Sequence, residues 1–150
     1  MQLGEARRVA GARPLFATRC AMIKSLDHVV ITVRDMDATI DFYTRVLGMT
    51  LETFGSGRKA LRFGDQKFNL HPAGNKITTD IYAQVPTPGS LDLCLLAAVP
   101  LDEVIAKLKA ENIPIELGPT KRTGARWPIR SVYVRDPDQN LIEISERWVE

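Results

Sequence analysis

The chain contains two histidines, His28 and His71, and each falls in a segment whose residue pattern predicts a β-strand. Two carboxylates, Asp92 and Glu143, lie inside equally apolar, strand-like segments. Imidazole and carboxylate groups are ligands with which proteins hold divalent first-row metal ions for catalysis, with positions left open for substrate. If folding brings these side chains together, they predict a catalytic metal site.

Each of these residues also has a simpler interpretation. A lone histidine in a strand is more often a hydrogen-bonded core residue than a ligand, and His71 also fits an exposed strand end. Asp92 also fits a partnership with a hydroxyl or a backbone amide. Glu143 is more informative, because a carboxylate inside an apolar strand is costly to bury unless it is paired or bound to metal. An ion pair with Lys or Arg would satisfy Glu143 as well, and Cys94 is expected to pack in the core.

The elements that would position these residues occur twice. A strand over 26–33 precedes a helix that Asp35 caps and Gly48 ends, and strands near 49–54, 58–63 and 66–71 follow. The same order returns as a strand over 90–98, a helix over 101–111, and strands near 113–117, 130–135 and 140–146. With an offset of 64 residues, His28 falls on Asp92 and Gly48 on Asn112, which also tolerates a left-handed helix stop. This duplication predicts an α+β fold of two βαβββ modules, at about 24–72 and 89–147.

Strand alternation indicates which side chains would face a cavity. In FNLH, Asn69 and His71 point away from their apolar neighbours, and in LIEIS so does Glu143. Each helix would cover one face of its strands, so the opposite faces of two curled half-sheets would enclose a cavity that is open along one side. If a pseudo-twofold axis relates the modules, His28, Asp92 and Glu143 converge there.

Composition limits the alternatives. With 45% hydrophobic and 25% charged residues among 150, the chain resembles one ordinary globular domain. Residues 1–22 hold four of the 20 basic and one of the 18 acidic residues, which leaves 16 against 17 in 23–150 and argues against nucleic-acid binding. No apolar run is long enough to cross a membrane or to form a secretory signal. A cytoplasmic protein is expected, with Cys20 and Cys94 as free thiols.

Residues 1–22 show no periodicity and contain Gly4, Gly11 and Pro14, so a disordered leader is predicted before a single domain at 23–150. Because the leader is rich in arginine, it fits a targeting peptide. A true start at Met22 is the other interpretation.

Two longer segments carry a family resemblance that covers nearly all of residues 24–147. The opening LDHVVITVRDMDATIDFYTRVLGM and the closing VYVRDPDQNLIEIS resemble those of the vicinal-oxygen-chelate proteins, which include glyoxalases, bleomycin-resistance proteins and dioxygenases. The stretches LRFGDQKFNLH, PGSLDLCLL and GPTKRTGARWPIRSVYVRDPD are similar to the branch called glyoxalase-domain-containing protein 5 and its bacterial relatives.

The resemblance implies a divalent metal ion, such as Zn, Ni, Mn or Fe. The first-strand histidine of the family matches His28, and the last-strand carboxylate matches Glu143. Asp92 stands where relatives usually have His or Gln, and Asn69 stands at the fourth-strand ligand position. His71 lies on the same face as Asn69, roughly 7 Å further along the strand, so it either replaces Asn69 or contacts substrate.

The implied activity is that of a metal-dependent lyase or isomerase of glyoxalase type, with Glu143 as ligand and base. A small anionic or thiol-conjugated substrate is expected, bound by Asn69, Arg62 and Arg122, although solvated surface charge is the simpler interpretation of any one arginine. Lys121, Arg126 and Arg130 are expected near the same cavity. A homodimer is implied, with the metal site built from one chain or from two. The alternatives are a metal-free, bleomycin-resistance-like binding protein, an Fe(II) extradiol dioxygenase and a fosfomycin-modifying transferase.

Overall fold

The structure is a computed structural model that describes residues 22–74 and 80–149. The first module consists of β1 (His28–Val33), α1 (Met36–Asp41) with a π-helical continuation (Phe42–Val46), β2 (Thr50–Phe54), β3 (Arg58–Phe63) and β4 (Gln66–Pro72). The second consists of β5 (Asp92–Leu96), α2 (Leu101–Ala110), β6 (Leu117–Thr123), β7 (Pro128–Arg135) and β8 (Leu141–Arg147). The predicted α+β fold with two βαβββ modules is confirmed.

Each module is a four-stranded mixed sheet. The strand orders are β1-β4-β3-β2 and β5-β8-β7-β6, so the two modules have the same topology. The first strand of each module pairs in parallel with the last, and the remaining pairs are antiparallel. The first and last strands, which carry the predicted ligands, are therefore neighbours in both modules.

Local signals set the limits of the helices. The Asp35 carboxylate accepts a hydrogen bond from the Ala38 amide at 2.9 Å, which caps the start of α1. Gly48 adopts a φ of 71° after the π-helical turn, and Asn112 adopts a φ of 55° after α2. Both residues end their helices in the left-handed conformation, as the sequence predicts.

The sixth strand differs from the prediction. A strand was expected near 113–117 with a loop over 118–129, whereas β6 runs from Leu117 to Thr123. It lies at the outer edge of its sheet, and nearly all of its residues are exposed. Because neither face of β6 is buried, its sequence LGPTKRT shows no apolar alternation from which the strand could be recognised.

The core lies on the helix-bearing faces of both sheets. Its most buried residues come from strands and helices of both modules: Ile31, Val33, Tyr43, Val46, Leu61, Phe68, Leu70, Leu101, Leu108, Val132, Val134, Ile142 and Ile144. The Tyr43 hydroxyl donates a hydrogen bond to Asp136 at 2.9 Å, which ties the first helix to the turn before β8. One continuous apolar cluster thus holds the modules together.

The turn RDPDQN before β8 is a second tie between the modules. The Asp138 carboxylate accepts hydrogen bonds from the Arg34 amide at 3.2 Å and from Arg34 Nη1 at 3.1 Å. Asp136 accepts from the amide and the side chain of Asn140, at 2.9 and 2.8 Å. These buried carboxylates are satisfied by hydrogen bonds and hold the loop in place. None of the helices in 22–74 and 80–149 is long and apolar enough to cross a membrane.

Candidate functional site

Each sheet has an open face, defined here as the face opposite the core, and the predicted site residues lie on these open faces. In the first module the open face carries the predicted residues His28, Arg62, Asn69 and His71. In the second module it carries Asp92, Arg122 and Glu143. The predicted alternation in β4 and β8 is confirmed, because Phe68, Leu70, Ile142 and Ile144 all face the core.

The strand registers give the two open faces the same geometry. His28 pairs with Lys67, which lies two residues before Asn69, and Asp92 pairs with Leu141, which lies two residues before Glu143. His28 and Asp92 are therefore equivalent positions, and so are Asn69 and Glu143. The duplication thus provides two half-sites, each with one position in the first strand and one in the last.

His28 is oriented by its neighbour in the sequence. Its Nδ1 lies 2.8 Å from the Asp27 carboxylate, and this hydrogen bond lowers the pKa of Asp27. A carboxylate acceptor favours the proton on Nδ1 and leaves the lone pair of Nε2 for another partner. The side chain of His28 is 44% exposed, so Nε2 is accessible to an incoming group.

Asn69 has a side-chain oxygen that needs a partner. Asn69 Oδ1 is buried and accepts no hydrogen bond from the described part of the chain. An unsatisfied buried acceptor costs about 1–3 kcal/mol, so a donor or a cation supplied by a ligand would stabilise it. This oxygen lies on the same face as His28 and at the position equivalent to Glu143.

The first open face also carries basic side chains beside an aromatic ring. The Arg58 guanidinium lies 4.6 Å from the centre of the Phe54 ring, and Lys67 Nζ lies 4.2 Å from the same ring. Partial burial, aided by the positive charge of Arg58, lowers the pKa of His71. His71 is therefore neutral near pH 7 and can act as a hydrogen-bond donor or acceptor.

Arg62 is on the predicted face, but its charge is already paired. Its Nη1 donates to Glu52 Oε2 at 2.8 Å, and Lys67 Nζ lies 3.4 Å from Glu52 Oε1. The hydrogen bond from Arg62 is the main cause of the lowered pKa of Glu52. Glu52 was not identified from the sequence, because it lies in an exposed edge strand without apolar alternation.

Glu143 stands among hydroxyl groups. The Ser145 hydroxyl donates to Glu143 Oε1 at 3.3 Å and lies 2.8 Å from the Ser131 hydroxyl. Tyr133 is directly opposite Glu143 in β7, and its hydroxyl accepts a hydrogen bond from Arg122 Nε at 3.0 Å. Loss of hydration raises the pKa of Tyr133, and the nearby Glu143 carboxylate acts in the same direction.

The basic residues around the second module separate into two groups. Arg122 lies on the open face, and no carboxylate of the described residues is within 4.0 Å of its guanidinium. Arg130 instead faces the helix side, where it pairs with Glu146 at 3.0 Å and with Asp102 at 2.5 Å. Lys121 and Arg126 lie over Trp148 and Trp127, at 5.0 and 5.3 Å from the ring centres. Arg130 was therefore wrongly expected at the cavity, because side chains alternate along β7.

Cys94 is a residue that the sequence interpretation missed. It was expected in the core, but it lies on the open face, exposed and in register with Glu143. Leu93 and Leu95 occupy the core side of β5 instead. The signal was present in the alternation, because Cys94 shares a face with Asp92.

A small crevice lies at the seam between the modules. It has a volume of about 90 Å³ and is lined mainly by apolar side chains such as Val29, Phe63 and Leu95. His28 of the first module and Cys94 of the second module both line it. Strand β1 of the first module and strand β5 of the second module therefore border the same crevice.

A three-ligand metal site is not assembled within the described part of one chain. Across 22–74 and 80–149, no group of three or more His, Cys, Asp or Glu side chains is placed to hold a metal ion. The donors of the two half-sites nevertheless suit a divalent cation chemically, since His28 offers a nitrogen, and Asn69, Asp92 and Glu143 offer oxygens. Each half-site can supply two of the four donors.

Comparison with known proteins gives two curated relatives of high identity. The chain is 54% identical over 123 residues to glyoxalase domain-containing protein RDO1 of Mycosarcoma maydis, which covers 82% of this chain and 68% of that protein. It is 47% identical over 125 residues to virulence protein STM3117 of Salmonella typhimurium, which covers 83% of this chain and 85% of that protein.

Solved structures share the fold. The crystal structure of STM3117 matches with a TM-score of 0.81 at 46% identity, over 85% of this chain and 99% of that one. Two structures at 22% identity show the fold alone. Lactoylglutathione lyase from Agrobacterium tumefaciens has a TM-score of 0.64, over 83% of this chain and 94% of that one. TnmS3, an antibiotic binding protein from Streptomyces, has a TM-score of 0.63, over 85% of this chain and 98% of that one.

The family model described as the Glyoxalase/Bleomycin resistance protein/Dioxygenase superfamily matches residues 25–144. That range includes nearly all of both modules and every predicted site residue. The paired βαβββ topology and the half-sites at equivalent register positions agree with this match. The chain therefore belongs to the glyoxalase, bleomycin-resistance protein and dioxygenase superfamily.

Proposed function

We propose that this chain is a metal-dependent lyase or isomerase of the glyoxalase type, acting on a small anionic or thiol-conjugated metabolite. The observation that carries the proposal is the pair of half-sites. His28 presents a free ring nitrogen on the same sheet face as the unsatisfied oxygen of Asn69, and Glu143 occupies the position equivalent to Asn69 in the second module. A divalent metal bound there would polarise adjacent oxygens of the substrate.

The absence of a complete ligand group from the described part of one chain leads us to propose a homodimer. The first-module half-site of one copy would meet the second-module half-site of its partner, and a twofold axis would produce two such sites. Val30, Leu96 and Leu117 lie on the open faces and are 41%, 60% and 50% exposed. Their burial against a second copy would favour this assembly.

Glu143 would act as the proton-transferring base. Its carboxylate accepts a hydrogen bond from the Ser145 hydroxyl on the same strand, and Tyr133 lies opposite it on β7. These two polar neighbours set the position of the carboxylate. A carboxylate fixed at the open face can remove a proton from a carbon next to a carbonyl group. Arg122, which lacks a carboxylate partner among the described residues, would attract the anionic part of the substrate.

A metal-free binding protein of the bleomycin-resistance type is the second candidate. The absence of a three-ligand group from the described part of one chain favours it, and the antibiotic binding protein TnmS3 shares the fold. An Fe(II) extradiol dioxygenase is less well supported, because such a site needs two histidines and a carboxylate. Asp92 occupies the position that a second histidine would take.

Three further assignments belong to the same proposal. We place the chain in the branch of glyoxalase-domain-containing protein 5 and its bacterial relatives. We infer a single domain at 23–150, and a reducing, cytoplasmic compartment in which Cys94 stays a free thiol. The predicted leader falls almost entirely on residues 1–21, outside the described residues.

Metal content of the purified protein tests the proposal directly. Wild type, His28→Ala and Glu143→Gln would be loaded with Zn, Ni, Mn or Fe, dialysed and examined by elemental analysis. Glu103→Gln is the matched control, because Glu103 is an exposed carboxylate in the first turn of α2. We expect stoichiometric metal in wild type and control, and its loss from both site variants, because each variant removes one donor.

Turnover of the thiohemiacetal of methylglyoxal and glutathione by the loaded protein would complete the test. If no sample retains metal although circular dichroism shows an intact fold, the enzyme proposal is wrong and the binding protein is favoured.

A further inference from the structure

Three arginines, Arg122, Arg126 and Arg147, lie together at one end of the second open face and are called the arginine cluster here. Arg122 of β6 and Arg147 of β8 both stand opposite Ile129 of β7. Residues directly opposite one another in antiparallel strands share a face, and neighbouring strands are about 5 Å apart, so about 10 Å separates the Cα atoms of Arg122 and Arg147. Arg126 joins them from the turn between β6 and β7.

Aromatic rings hold the guanidinium groups of the arginine cluster in place. The Cζ atoms of Arg126 and Arg147 lie 5.3 and 5.4 Å from the centre of the Trp127 ring. The Cζ atom of Arg122 lies 5.5 Å from the centre of the Tyr133 ring, and its Nε donates to the Tyr133 hydroxyl at 3.0 Å. Such contacts are attractive and restrict the arginine side chains. An anion would therefore meet cations that are already ordered.

The positive charges of the arginine cluster have no neighbouring carboxylate to balance them. Among the described residues, no Asp or Glu oxygen lies within 4.0 Å of any of its three guanidinium groups. On the first open face, by contrast, Arg62 and Lys67 share the carboxylate of Glu52. Like charges that are held close together repel one another, so a multiply charged anion in contact with the arginine cluster would stabilise it.

The arginine cluster lies on the same sheet face as Glu143. Arg147 follows Glu143 by four residues in β8, which separates their Cα atoms by about 13 Å. Arg122 contacts Tyr133, which stands directly opposite Glu143. A molecule whose reacting carbon lies beside Glu143 can therefore place an anionic group at the arginine cluster if several bonds separate the two.

We propose that the arginine cluster binds the phosphate group of a phosphorylated carbonyl substrate whose reacting carbon lies beside Glu143. The proposal rests on the proposed function for the reaction at Glu143, whereas the phosphate site can be tested without metal or turnover. A phosphate monoester suits several guanidinium groups better than a carboxylate does, because it carries nearly two negative charges and more acceptor oxygens. Trp127 is a positioning residue, since its ring contacts two of the guanidinium groups.

Glycerol 3-phosphate is the probe, and its binding to the metal-free, full-length chain is measured by isothermal titration calorimetry. Arg126→Gln and Arg147→Gln are compared with wild type and with Lys109→Gln, a matched control that removes one exposed charge from the last turn of α2. We expect one molecule to bind per chain in wild type and control, and about tenfold weaker binding in each arginine variant. Acetate at equal ionic strength should also bind about tenfold more weakly.

Variants of Trp127 separate the ordering of the arginines from a general effect on folding. Trp127→Leu should weaken binding of glycerol 3-phosphate about threefold, because it removes both cation–π contacts. Trp127→Phe should restore most of the affinity, since it supplies another aromatic ring. Urea unfolding of both variants checks that the fold is intact. In NMR titrations of wild type, the amide signals of β8 between Glu143 and Arg147 should shift.

Several outcomes would overturn the phosphate-site proposal. One is a loss of binding in Arg58→Gln but not in Arg147→Gln, which would move the anion to the first open face, where Arg58 lies over Phe54. Others are an equal loss in Lys109→Gln, equal affinity for acetate, and unchanged β8 signals. Tighter binding to phosphatidylcholine vesicles that contain phosphatidic acid would indicate a lipid headgroup instead of a soluble substrate. A protein that binds the probe but retains no metal would contradict the proposed function alone.

Discussion

The two open faces have the same strand order and register but carry different chemistry. In the first module, the last-strand position is an amide, Asn69, with the basic residues Arg58 on the neighbouring strand β3 and Lys67 two residues before it on β4. In the second module, the equivalent position is the carboxylate Glu143, surrounded by hydroxyl groups and a thiol. The shared strand order and register thus fix where the side chains stand, and the residue type at each position decides its chemistry.

This contrast suggests a division of labour. The first face offers two neutral donors, His28 and Asn69, that can bind a metal. It also offers positively charged groups that can bind an anion. The second face carries the carboxylate of Glu143, which accepts a hydrogen bond from the Ser145 hydroxyl. Metal binding would rest mainly on one module, and proton transfer on the other.

The largest expected effect contrasts the two equivalent positions. Glu143→Gln should lower kcat for the glutathione thiohemiacetal by about 10²–10⁴-fold, because it removes the base while keeping the size of the side chain. Asn69→Ala should affect kcat far less, since an amide oxygen accepts no proton near neutral pH. Steady-state kinetics with metal in excess measure both, because Glu143→Gln is also expected to bind metal more weakly. Equal losses in kcat would show that the two faces do not differ in role.

A smaller effect contrasts one arginine from each face. Arg122→Gln should raise KM for an anionic substrate by about threefold to tenfold with little change in kcat, because Arg122 has no carboxylate partner among the described residues. Arg62→Gln should raise KM less, since Glu52 already neutralises Arg62. Added salt should diminish the difference between wild type and Arg122→Gln. A larger KM effect at Arg62 would reverse the assignment of the anion-binding face.

The smallest effect concerns pH and stability. His71 has a pKa below its ordinary value of 6.5 in the folded chain, whereas its equivalent in the second module, Ser145, does not titrate. As pH falls through that ordinary value, the unfolded chain binds a proton at position 71 before the folded chain does, so stability decreases. At pH values well above 6.5, His71 is neutral in both the folded and the unfolded chain and does not change the free energy of unfolding.

Urea unfolding of the metal-free protein at pH about 7.5 and about 5.5 tests this expectation. His71→Gln should lose less stability than wild type between the two pH values. Arg58→Gln should show an intermediate loss, because it removes one of the two causes of the lowered pKa but leaves the burial. An identical loss in wild type and His71→Gln would rule out this residue as the source.

Much of the fold could be predicted because its signals are local. The cap at Asp35, the left-handed stops at Gly48 and Asn112, and the alternation in FNLH and LIEIS each depend on a few neighbouring residues. Strand β6 could not be predicted, because an exposed edge strand needs no apolar face. The structural role of Asp136 and Asp138 was also missed, since their partners Tyr43 and Arg34 are about a hundred residues away in the sequence.

The residue sequence by itself determined the two βαβββ modules and the side of each strand on which His28, Asn69, Asp92 and Glu143 lie, because periodicity encodes the face of a strand. Only the tertiary structure decided that these donors form two half-sites rather than one group, that Arg130 points away from them, and that Cys94 adjoins Glu143. The physical reason is that pairing register and module packing are set by contacts between segments distant in the chain, which no local pattern records.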